Sequence, residues 1–557
     1  MKNGVIMVQQ ITFEMKHFVC LLLIFSLSSN LLPASSKPES QKRWWKESVF
    51  YQIYMPSFQD SNGDGYSDFR GMTDRLDYLQ ELGIKGIWLT PFLKSPKVDN
   101  GYDVADYYSI DPTYGNKADF RHFLAEAHKR GLKVIMDMVL NHTSTDSHWF
   151  QESRKSTDNP YRDYYVWREK PNNWESFFGG NAWQYDSLTN EYYLHKFDVR
   201  MADLNWTNPA VAAEVQQVLQ FWLELGIDGF RFDVVNFFHT DHIYTDNPFK
   251  HGKQQAVYNI NQPGIKKAIT LLQETVDQYP DRFTVGEVGS DQISILRQFQ
   301  SPDLLDVVFN FNFGSIPEFS VKRLFSELKG MEKNMPGYPT LFFGSHDNPR
   351  LMSRLANDDP QRALALGALM LFAKGVPFIY YGEEIGMQNI YANDYEEIVD
   401  IQAKTFYQLA LDSGKTPEEA LVEGNKHNRD KSRGPMQWNN GSHAGFTTGK
   451  PWIKIHDNAR EINVENAQKN PKSMLAVYKA MIALRNKEKA LQYGAYKKLT
   501  CKNDCISFTR QYEDTSITVW VNFGTERKVK IPREAEILMG NATLKSNHFL
   551  VCRINKD

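Results

Sequence analysis

The chain has 557 residues, more than one ordinary domain, and its 41% hydrophobic and 13% aromatic content is typical of a well-packed globular protein. Its 64 basic and 67 acidic residues give a formal net charge of −3, which excludes both a basic surface for nucleic acid and an acidic tail. The favoured partner is therefore an uncharged small molecule.

Residues 1–36 have the pattern of a cleaved signal peptide. Lys16 and His17 precede the apolar run FVCLLLIFSLSSNLL, which ends in Ala34, Ser35 and Ser36 before a polar segment. The run is short and interrupted for a transmembrane span, and no later segment is apolar for long enough to cross a bilayer. We therefore predict a secreted or periplasmic protein without stable membrane insertion.

The loop after the first strand-like run reads QDSNGDGYSDFRG, with oxygen-bearing side chains at Asp60, Asn62, Asp64 and Asp68. It is not an EF-hand, because the twelfth position counted from Asp60 is Gly71 and not a glutamate. Two interpretations are open from these residues alone. The loop binds a hard cation, or it is a turn of asparagine and aspartate without a metal.

Short apolar runs alternate with amphipathic helical patterns, which predicts parallel βαβ units. The runs are SVFYQIYM, IKGIWLTPF, LKVIMDMVLN, IDGFRFDVV, RFTVGEV, LDVVFNF, PTLFFGSHDN and VPFIYYGEE. Helical patterns such as MTDRLDYLQELG and ADFRHFLAEAHKRG lie between them. Eight such alternations predict an α/β fold, the (β/α)8 TIM barrel.

Two segments depart from this alternation. Residues 142–205 are polar and aromatic and too long for a simple loop, so we predict an inserted domain after the third strand. Residues 491–557 contain short alternating strands, which predict a C-terminal antiparallel β-sandwich. The barrel would then occupy residues 37–141 and 206–490.

Ionisable residues follow the predicted strands, at the carboxyl face where a TIM barrel has its chemistry. They are Asp137, Asn141, His142, Arg231, Asp233, Glu287, His346, Asp347 and Asn348. Acids that follow three strands beside arginine or histidine indicate a functional cluster rather than chance. Two carboxyl groups on either side of a sugar acetal can cleave it, and no nucleophile elbow, Walker loop or HExxH helix competes with that hypothesis.

The runs DMVLNH, GFRFDVVN, VGEVGS and FGSHDN resemble the four signature regions of the α-amylase family of glycoside hydrolases. IWLTPFLKSP, NGYDVADYY, MADLN and GVPFIYYGEEIG are further matches in the family's order. RGPMQW and DSNGDGYSD are similar to the oligo-1,6-glucosidase and α-glucosidase branch. The resemblance extends from about Trp44 to the end and implies a small oligosaccharide substrate and no organic cofactor.

The resemblance implies a catalytic role for each acid. Asp233 would be the nucleophile, Glu287 the general acid and then base, and Asp347 a third carboxylate that binds sugar hydroxyls. Arg231, two residues before Asp233 on the same strand face, is expected to keep Asp233 ionised. Glu287 is expected to be protonated, with a pKa raised by neighbouring negative charges.

The resemblance also implies a pocket for one terminal glucose. Tyr102 would stack beneath the ring, and His142 and His346 would bond its hydroxyl groups. Asp99 would close the far end of the pocket with an arginine, and whether that arginine is Arg429 or Arg433 is left open. A closed end would make the enzyme exo-acting.

In the same branch the loop after the first strand holds a structural Ca²⁺ or Mg²⁺. The implied ligands are the side-chain oxygens of Asp60, Asn62, Asp64 and Asp68 and the carbonyl oxygen of Tyr66.

Several alternatives remain at this point. MADLN weakens the assignment to α-1,6 bonds, whereas Val234 after the nucleophile favours it, so α-1,6, α-1,4 and sucrose linkages all stay open. A sucrose isomerase or transglucosylase of the same family would use the same intermediate. A non-catalytic relative of the amino-acid transporter heavy chains is the third hypothesis, opposed by the presence of all three acids. The sequence indicates neither the host nor the oligomeric state.

Overall fold

The structure is a computed structural model that describes residues 43–290, 292–301, 303–335 and 337–555. The predicted signal peptide, residues 1–36, lies outside the described residues. Among the helices within them, none combines the length and the apolar character that crossing a bilayer requires.

Eight parallel strands form the central sheet and confirm the predicted TIM barrel. They are β1 (Phe50–Ile53), β2 (Gly86–Leu89), β3 (Lys133–Met138), β4 (Gly229–Phe232), β5 (Phe283–Gly286), β6 (Val307–Val308), β7 (Thr340–Leu341) and β8 (Val376–Tyr380). Their order in the sheet is β6-β5-β4-β3-β2-β1-β8-β7, so neighbours in sequence are neighbours in space, and β1 pairs with β8.

The gap between β6 and β7 is bridged by a side chain instead of a backbone ladder. The Thr340 hydroxyl donates to the carbonyl oxygen of Val308 (3.1 Å) and accepts from the amide of Asn310 (3.0 Å). β6 is shorter than the run LDVVFNF because Asn310 caps the short helix Phe311–Gly314 directly after it.

Helices cover the outside of the barrel. Between the strands lie Phe69–Thr73, Leu76–Leu82, Lys117–Lys129, Pro209–Glu224, Ile265–Asp277, Ile293–Leu296, Phe311–Gly314, Val321–Asn334, Leu351–Arg354 and Pro360–Phe372. Lys117–Lys129 begins at a capping box of Asn116 and Asp119 and buries its apolar face. A four-residue helix, Trp44–Glu47, precedes β1.

Aromatic side chains fill the interior of the barrel. The ring of Phe50 stacks on Phe378 and Phe283, with centroids 4.7 and 5.1 Å apart, and all three are buried. Trp88 lies above them and donates its indole N–H to Asp137 (3.2 Å) at the end of β3. The barrel is therefore a packed core that ends in a polar layer at its carboxyl face.

The inserted segment between β3 and β4 forms small sheets of its own. Its elements are the helix His148–Ser153, the antiparallel strands Trp167–Arg168, Trp183–Asp186 and Glu191–Leu194, and the pair His142–Ser144 with Met201–Asp203. Lys196 and Asp203 form a fully buried ion pair at its base (2.6 Å). Short strand pairs elsewhere are Leu93–Lys94 with Asp106–Ile110 and Phe249–Lys250 with Lys253–Gln254.

The last third of the chain contains the helices after β8 and then the C-terminal sheet. The helices are Ile401–Asp412, Pro417–His427, Asp430–Arg433, Val464–Lys469, Met474–Lys487 and Lys489–Tyr493. The antiparallel sheet has the spatial order Ala495–Lys502, Cys505–Tyr512, Thr515–Asn522, His548–Asn555 and Glu536–Gly540, beside a ribbon of Arg527–Lys528 and Thr543–Leu544. This confirms the predicted C-terminal β domain.

Arg485 joins the barrel to the segment that leads into this sheet. Its buried guanidinium donates to the carbonyl oxygens of Leu371 (2.7 Å), Gly375 (2.8 Å) and Leu491 (3.0 Å). We expect Arg485→Met to lower the free energy of unfolding by about 2–4 kcal/mol, because three buried carbonyl groups lose their donor. The midpoint of urea unfolding measures this, and Lys487→Met, on the exposed face of the same helix, is the control. Equal midpoints for the two variants would contradict the assignment.

Candidate active site

One cavity of about 230 Å³ opens at the carboxyl face of the barrel. Its lining residues are Asp99, Tyr102, His142, Phe178, Phe197, Met201, Asp233, Val234, Glu287, His346, Asp347, Gln402 and Arg429. The structure thus brings together all three predicted catalytic acids and five of the predicted substrate-binding residues. The other two, Arg231 and Arg433, do not line the cavity and instead contact its carboxylates from behind.

The guanidinium of Arg231 lies among three carboxyl groups at the carboxyl face of the barrel, which together form the polar layer. Nη1 donates to Asp137 (2.6 Å) and Asp233 (2.7 Å), and Nη2 donates to Glu287. The Arg231 side chain is 2% exposed, and those of Asp233 and Glu287 are 8% and 15% exposed. A single cation therefore holds three carboxyl groups that come from three neighbouring strands.

Three carboxyl groups around one cation leave an excess of negative charge that a proton can offset. Burial raises the pKa of Asp233 well above its usual range, and although Arg231 lowers it, Glu287 and Asp137 raise it further. Burial also raises the pKa of Asp137 to about 6. The Asp233 and Glu287 side chains are held next to each other by their shared bonds to Arg231. Burial and Arg231 thus act on Asp233 in opposite directions, and the expectation that Arg231 keeps Asp233 ionised stays a prediction.

The backbone is strained directly after Asp233. Val234 has φ 35° and ψ 47°, a left-handed conformation that a β-branched residue rarely adopts. The backbone amide of Asp233 donates to the carbonyl oxygen of Met138 (3.1 Å). The backbone amide of Val235 donates to the backbone carbonyl oxygen of Glu287 (3.0 Å). These two bonds hold the turn and direct the Asp233 side chain into the cavity.

His346 is fixed in one tautomer by a residue that sequence reasoning missed. The Gln52 amide donates to His346 Nδ1 (2.7 Å), so the proton lies on Nε2, next to Tyr102 Oη (2.6 Å) and Asp347 Oδ2 (3.1 Å). Burial lowers the pKa of His346 to about 3, so the ring is neutral at physiological pH. Tyr102 stacks on this imidazole with centroids 5.2 Å apart and donates to Asp137 (2.9 Å).

His142 already uses both ring nitrogens within the protein. Asn141 donates its amide to Nδ1 (3.0 Å), and Nε2 donates to the carbonyl oxygen of Tyr102 (3.1 Å). Burial lowers the pKa of His142 to about 4. A sugar hydroxyl would therefore meet a neutral ring whose orientation is already set.

The structure decides which arginine pairs with Asp99. Arg429 Nη2 lies 2.7 Å from Asp99 Oδ1, which closes one end of the cavity. Arg433 instead donates to the carbonyl oxygen of His346 (2.9 Å) and lies 3.3 Å from Asp347. Although burial favours the neutral acid, His346, Arg429 and Arg433 hold the pKa of Asp347 well below its usual range.

Another part of the cavity wall is mostly apolar. Phe178, Phe197 and Met201 come from the inserted segment, and Gln402 comes from the helix after β8. Sequence reasoning did not assign Phe197, Met201 or Gln402 to the site. Met201 is the first residue of the MADLN run, whose similarity to the family could have assigned it to the site. Gln402 follows the last barrel strand by more than twenty residues with no motif around it.

A family model for the α-amylase catalytic domain matches residues 52–494 of the chain. The chain belongs to the α-amylase family of glycoside hydrolases. It is 39% identical to the oligo-1,6-glucosidase of Parageobacillus thermoglucosidasius over 90% of this chain and 95% of that protein.

Two solved structures of the α-amylase family are also similar. A trehalose-6-phosphate hydrolase from Bacillus licheniformis is 37% identical, with a TM-score of 0.84 over 92% of this chain and 100% of that one. The isomaltulose synthase of Klebsiella sp. LX3 is 36% identical, with a TM-score of 0.86 over 92% and 99% of the two chains. These relatives show that this family member is a glycoside hydrolase related to glucosidases.

In this family member the loop after β1 is held in shape by hydrogen bonds from its own backbone amide groups. Asp60 accepts from the amides of Asn62, Gly63 and Gly65 and from the Thr447 hydroxyl, at 2.5–2.9 Å. Gly65 has φ +92°, and a Cβ there would lie 2.0 Å from the Lys450 carbonyl oxygen, so the glycine permits a close approach of two segments.

The same loop does not present the predicted metal ligands as a coordination shell. Asp68 accepts from Ser61 and caps the helix that starts at Phe69, and Asp64 accepts from the Tyr66 amide (2.9 Å). In the part of the chain that the structure describes, no three acidic, histidine or cysteine side chains converge where they could hold an ion. The oxygen donors are chemically suited to Ca²⁺ or Mg²⁺, but as placed they do not fit one, and the ion stays a prediction.

Asp60→Ala tests what closes this loop. We expect it to lower the free energy of unfolding by about 2–4 kcal/mol, with or without chelator, because three amides lose their acceptor. Asp64→Ala, which removes two exposed bonds within the turn, is the control and should stay close to wild type in thermal melting. A rise in Tm with calcium that Asp64→Ala abolishes would instead assign the loop to the predicted ion.

The pKa of His142 predicts a contribution to acid instability. Its folded-state pKa of about 4 lies below the unfolded value, so the unfolded chain binds this proton first as pH falls. The stability is present above about pH 6.5 and is lost toward pH 4, by roughly 2–3 kcal/mol at pH 4.5. The urea midpoint of His142→Gln should therefore fall less between pH 7.5 and 4.5 than that of wild type. His122→Gln, on an exposed helix face, is the control, and parallel curves for all three proteins would refute the assignment.

Proposed function

We propose that the protein is a retaining, exo-acting α-glucosidase that hydrolyses terminal α-glucosidic bonds of short, uncharged oligosaccharides. The observation that carries this proposal is the pair of Asp233 and Glu287, held by the buried Arg231 in a cavity that Asp99 and Arg429 close at one end. A pair of neighbouring carboxyl groups supplies both groups that acetal cleavage requires.

The proposed reaction has two displacements at the anomeric carbon. Asp233 attacks that carbon while Glu287 gives its proton to the departing oxygen, which leaves a covalent glucosyl ester on Asp233. Glu287, now ionised, takes a proton from water, and the water oxygen displaces Asp233. Two inversions return the α-configuration. Asp347, with its pKa held low, is suited to bind sugar hydroxyls as an anion while positive charge develops on the ring.

The closed end of the cavity supports exo action. The Asp99 side chain is buried and pairs directly with Arg429, so a longer chain could not extend past the terminal sugar on that side. The bond to be cleaved would then be the first one from the non-reducing end, and one glucose would be released in each turnover.

The other side of the cavity favours an uncharged leaving group. Within the part of the chain that the structure describes, Arg429 is the only arginine or lysine among the lining residues, and Asp99 and Asp400 already bind it. A phosphorylated sugar needs cationic partners. The substrate named for the trehalose-6-phosphate hydrolase relatives is therefore less suited to this cavity than the neutral sugars of the oligo-1,6-glucosidases.

The similarity to oligo-1,6-glucosidases and the presence of Val234 favour cleavage of α-1,6 bonds, whereas the MADLN run weakens that assignment. A kinetic panel of maltose, isomaltose, panose, sucrose and soluble starch tests linkage, chain length and exo action together. We expect glucose as the first product from the short substrates, released as the α-anomer, and little activity on starch. A first product in the β-configuration would refute the double displacement.

The two acids should respond differently to the leaving group. We expect Asp233→Asn to lose several orders of magnitude in kcat on both maltose and p-nitrophenyl α-glucoside, because the bond to carbon cannot form. Glu287→Gln should lose far less on the p-nitrophenyl substrate, whose leaving group needs no proton. Steady-state kinetics of both variants on both substrates measures this. Equal losses in all four cases would remove the proposed division of roles.

A sucrose isomerase or transglucosylase is the second candidate, supported by the similarity to the isomaltulose synthase. Both reactions share the glucosyl ester and differ in what attacks it. Incubation with sucrose separates them, because hydrolysis gives equal glucose and fructose, whereas isomerisation gives a new disaccharide.

A further inference from the structure

Asp400 is a buried carboxylate next to the cavity that does not line it. It lies directly before the helix Ile401–Asp412, and its side chain has no exposed area. One oxygen accepts from Arg429 Nη2 (2.6 Å) and Nε (3.0 Å), and the other accepts from the Arg429 backbone amide (2.8 Å). Asp400 therefore binds Arg429 at both its side chain and its main chain.

These contacts set the direction of the Arg429 guanidinium. With Nε and Nη2 bound on the Asp400 side, the terminal nitrogens are directed at Asp99, at 2.7 and 3.4 Å. Nη1 is also 3.5 Å from Asp347. The planar fork of an arginine loses this orientation when the partner at Nε is removed.

Asp400 also contacts a second residue of the cavity wall. The oxygen that binds the guanidinium also accepts from the amide of Gln402 (3.2 Å) and so caps the helix that carries Gln402 to the apolar side. The Asp400 amide is in turn held by Asp430 (2.9 Å). The position of Asp400 is thus fixed independently of any sugar.

We propose that Asp400 is a positioning residue for the terminal-glucose site, which acts by holding Arg429 against Asp99. This inference rests on the proposed α-glucosidase function. It predicts that the effect of Asp400 depends on the hydroxyl group at the non-reducing end of the substrate, since that is the part of the sugar that would meet Asp99 and Arg429.

Asp400→Asn isolates this contribution. Asparagine caps a helix about as well as aspartate, so the helix that carries Gln402 is retained. Its amide nitrogen, however, must face either the Arg429 guanidinium or the Arg429 backbone N–H, and both of these are donors. Asp412→Asn, at the exposed end of the same helix, makes the same chemical change away from the site.

The experiment compares p-nitrophenyl α-glucoside with its 4-deoxy analogue. We expect Asp400→Asn to lower kcat/KM for the parent substrate by about tenfold or more, mostly through KM, because a charge-assisted contact is misaligned. On the 4-deoxy substrate, which lacks the hydroxyl concerned, wild type and Asp400→Asn should agree within about twofold. Asp412→Asn should match wild type on both.

Each outcome is decisive. Equal losses on the two substrates would mean that Asp400 only supports the fold, and no loss on either would mean that Arg429 is held without it. Both results would overturn the inference. If wild type itself releases no nitrophenol from the parent substrate, the proposed function fails instead.

Discussion

The buried guanidinium of Arg231 is the interaction on which the site depends. Three carboxyl groups that converge from β3, β4 and β5 would repel one another in a desolvated layer, and a single cation lets them approach. One positive charge does not balance three negative ones, and burial raises the pKa of Asp233 well above its usual range. The same cation therefore places the Asp233 and Glu287 carboxyl groups side by side at the cavity.

Much of the barrel could be predicted because its rules are local. Each apolar run has the length and composition of a buried parallel strand, and the acids follow the strands directly, so the topology alone brings Asp233, Glu287 and Asp347 to one face. The family runs then assign them roles. The raised pKa of Asp233 could not be predicted, since it depends on the balance between desolvation and the contacts of Arg231, which sequence spacing does not contain.

Other parts of the site depend on contacts between distant segments. Arg429 and Arg433 lie four residues apart around one short helix, and only the placement of that helix shows that the first faces Asp99 and the second faces Asp347. Gln52 is an ordinary polar residue within a strand until His346 is placed beside it. In the loop after β1 the same oxygen spacing suits an ion or a set of turns, and the amide contacts of Asp60 account for the second.

The filled interior of the barrel determines the route that molecules take. The stacked rings of Phe50, Phe283 and Phe378 fill the interior of the barrel, and the ion pair of Asp99 and Arg429 lies in the wall of the cavity. Molecules would therefore enter and leave the cavity from the carboxyl face of the barrel. Of two molecules bound in line in the cavity, the outer one must leave before the inner one can follow.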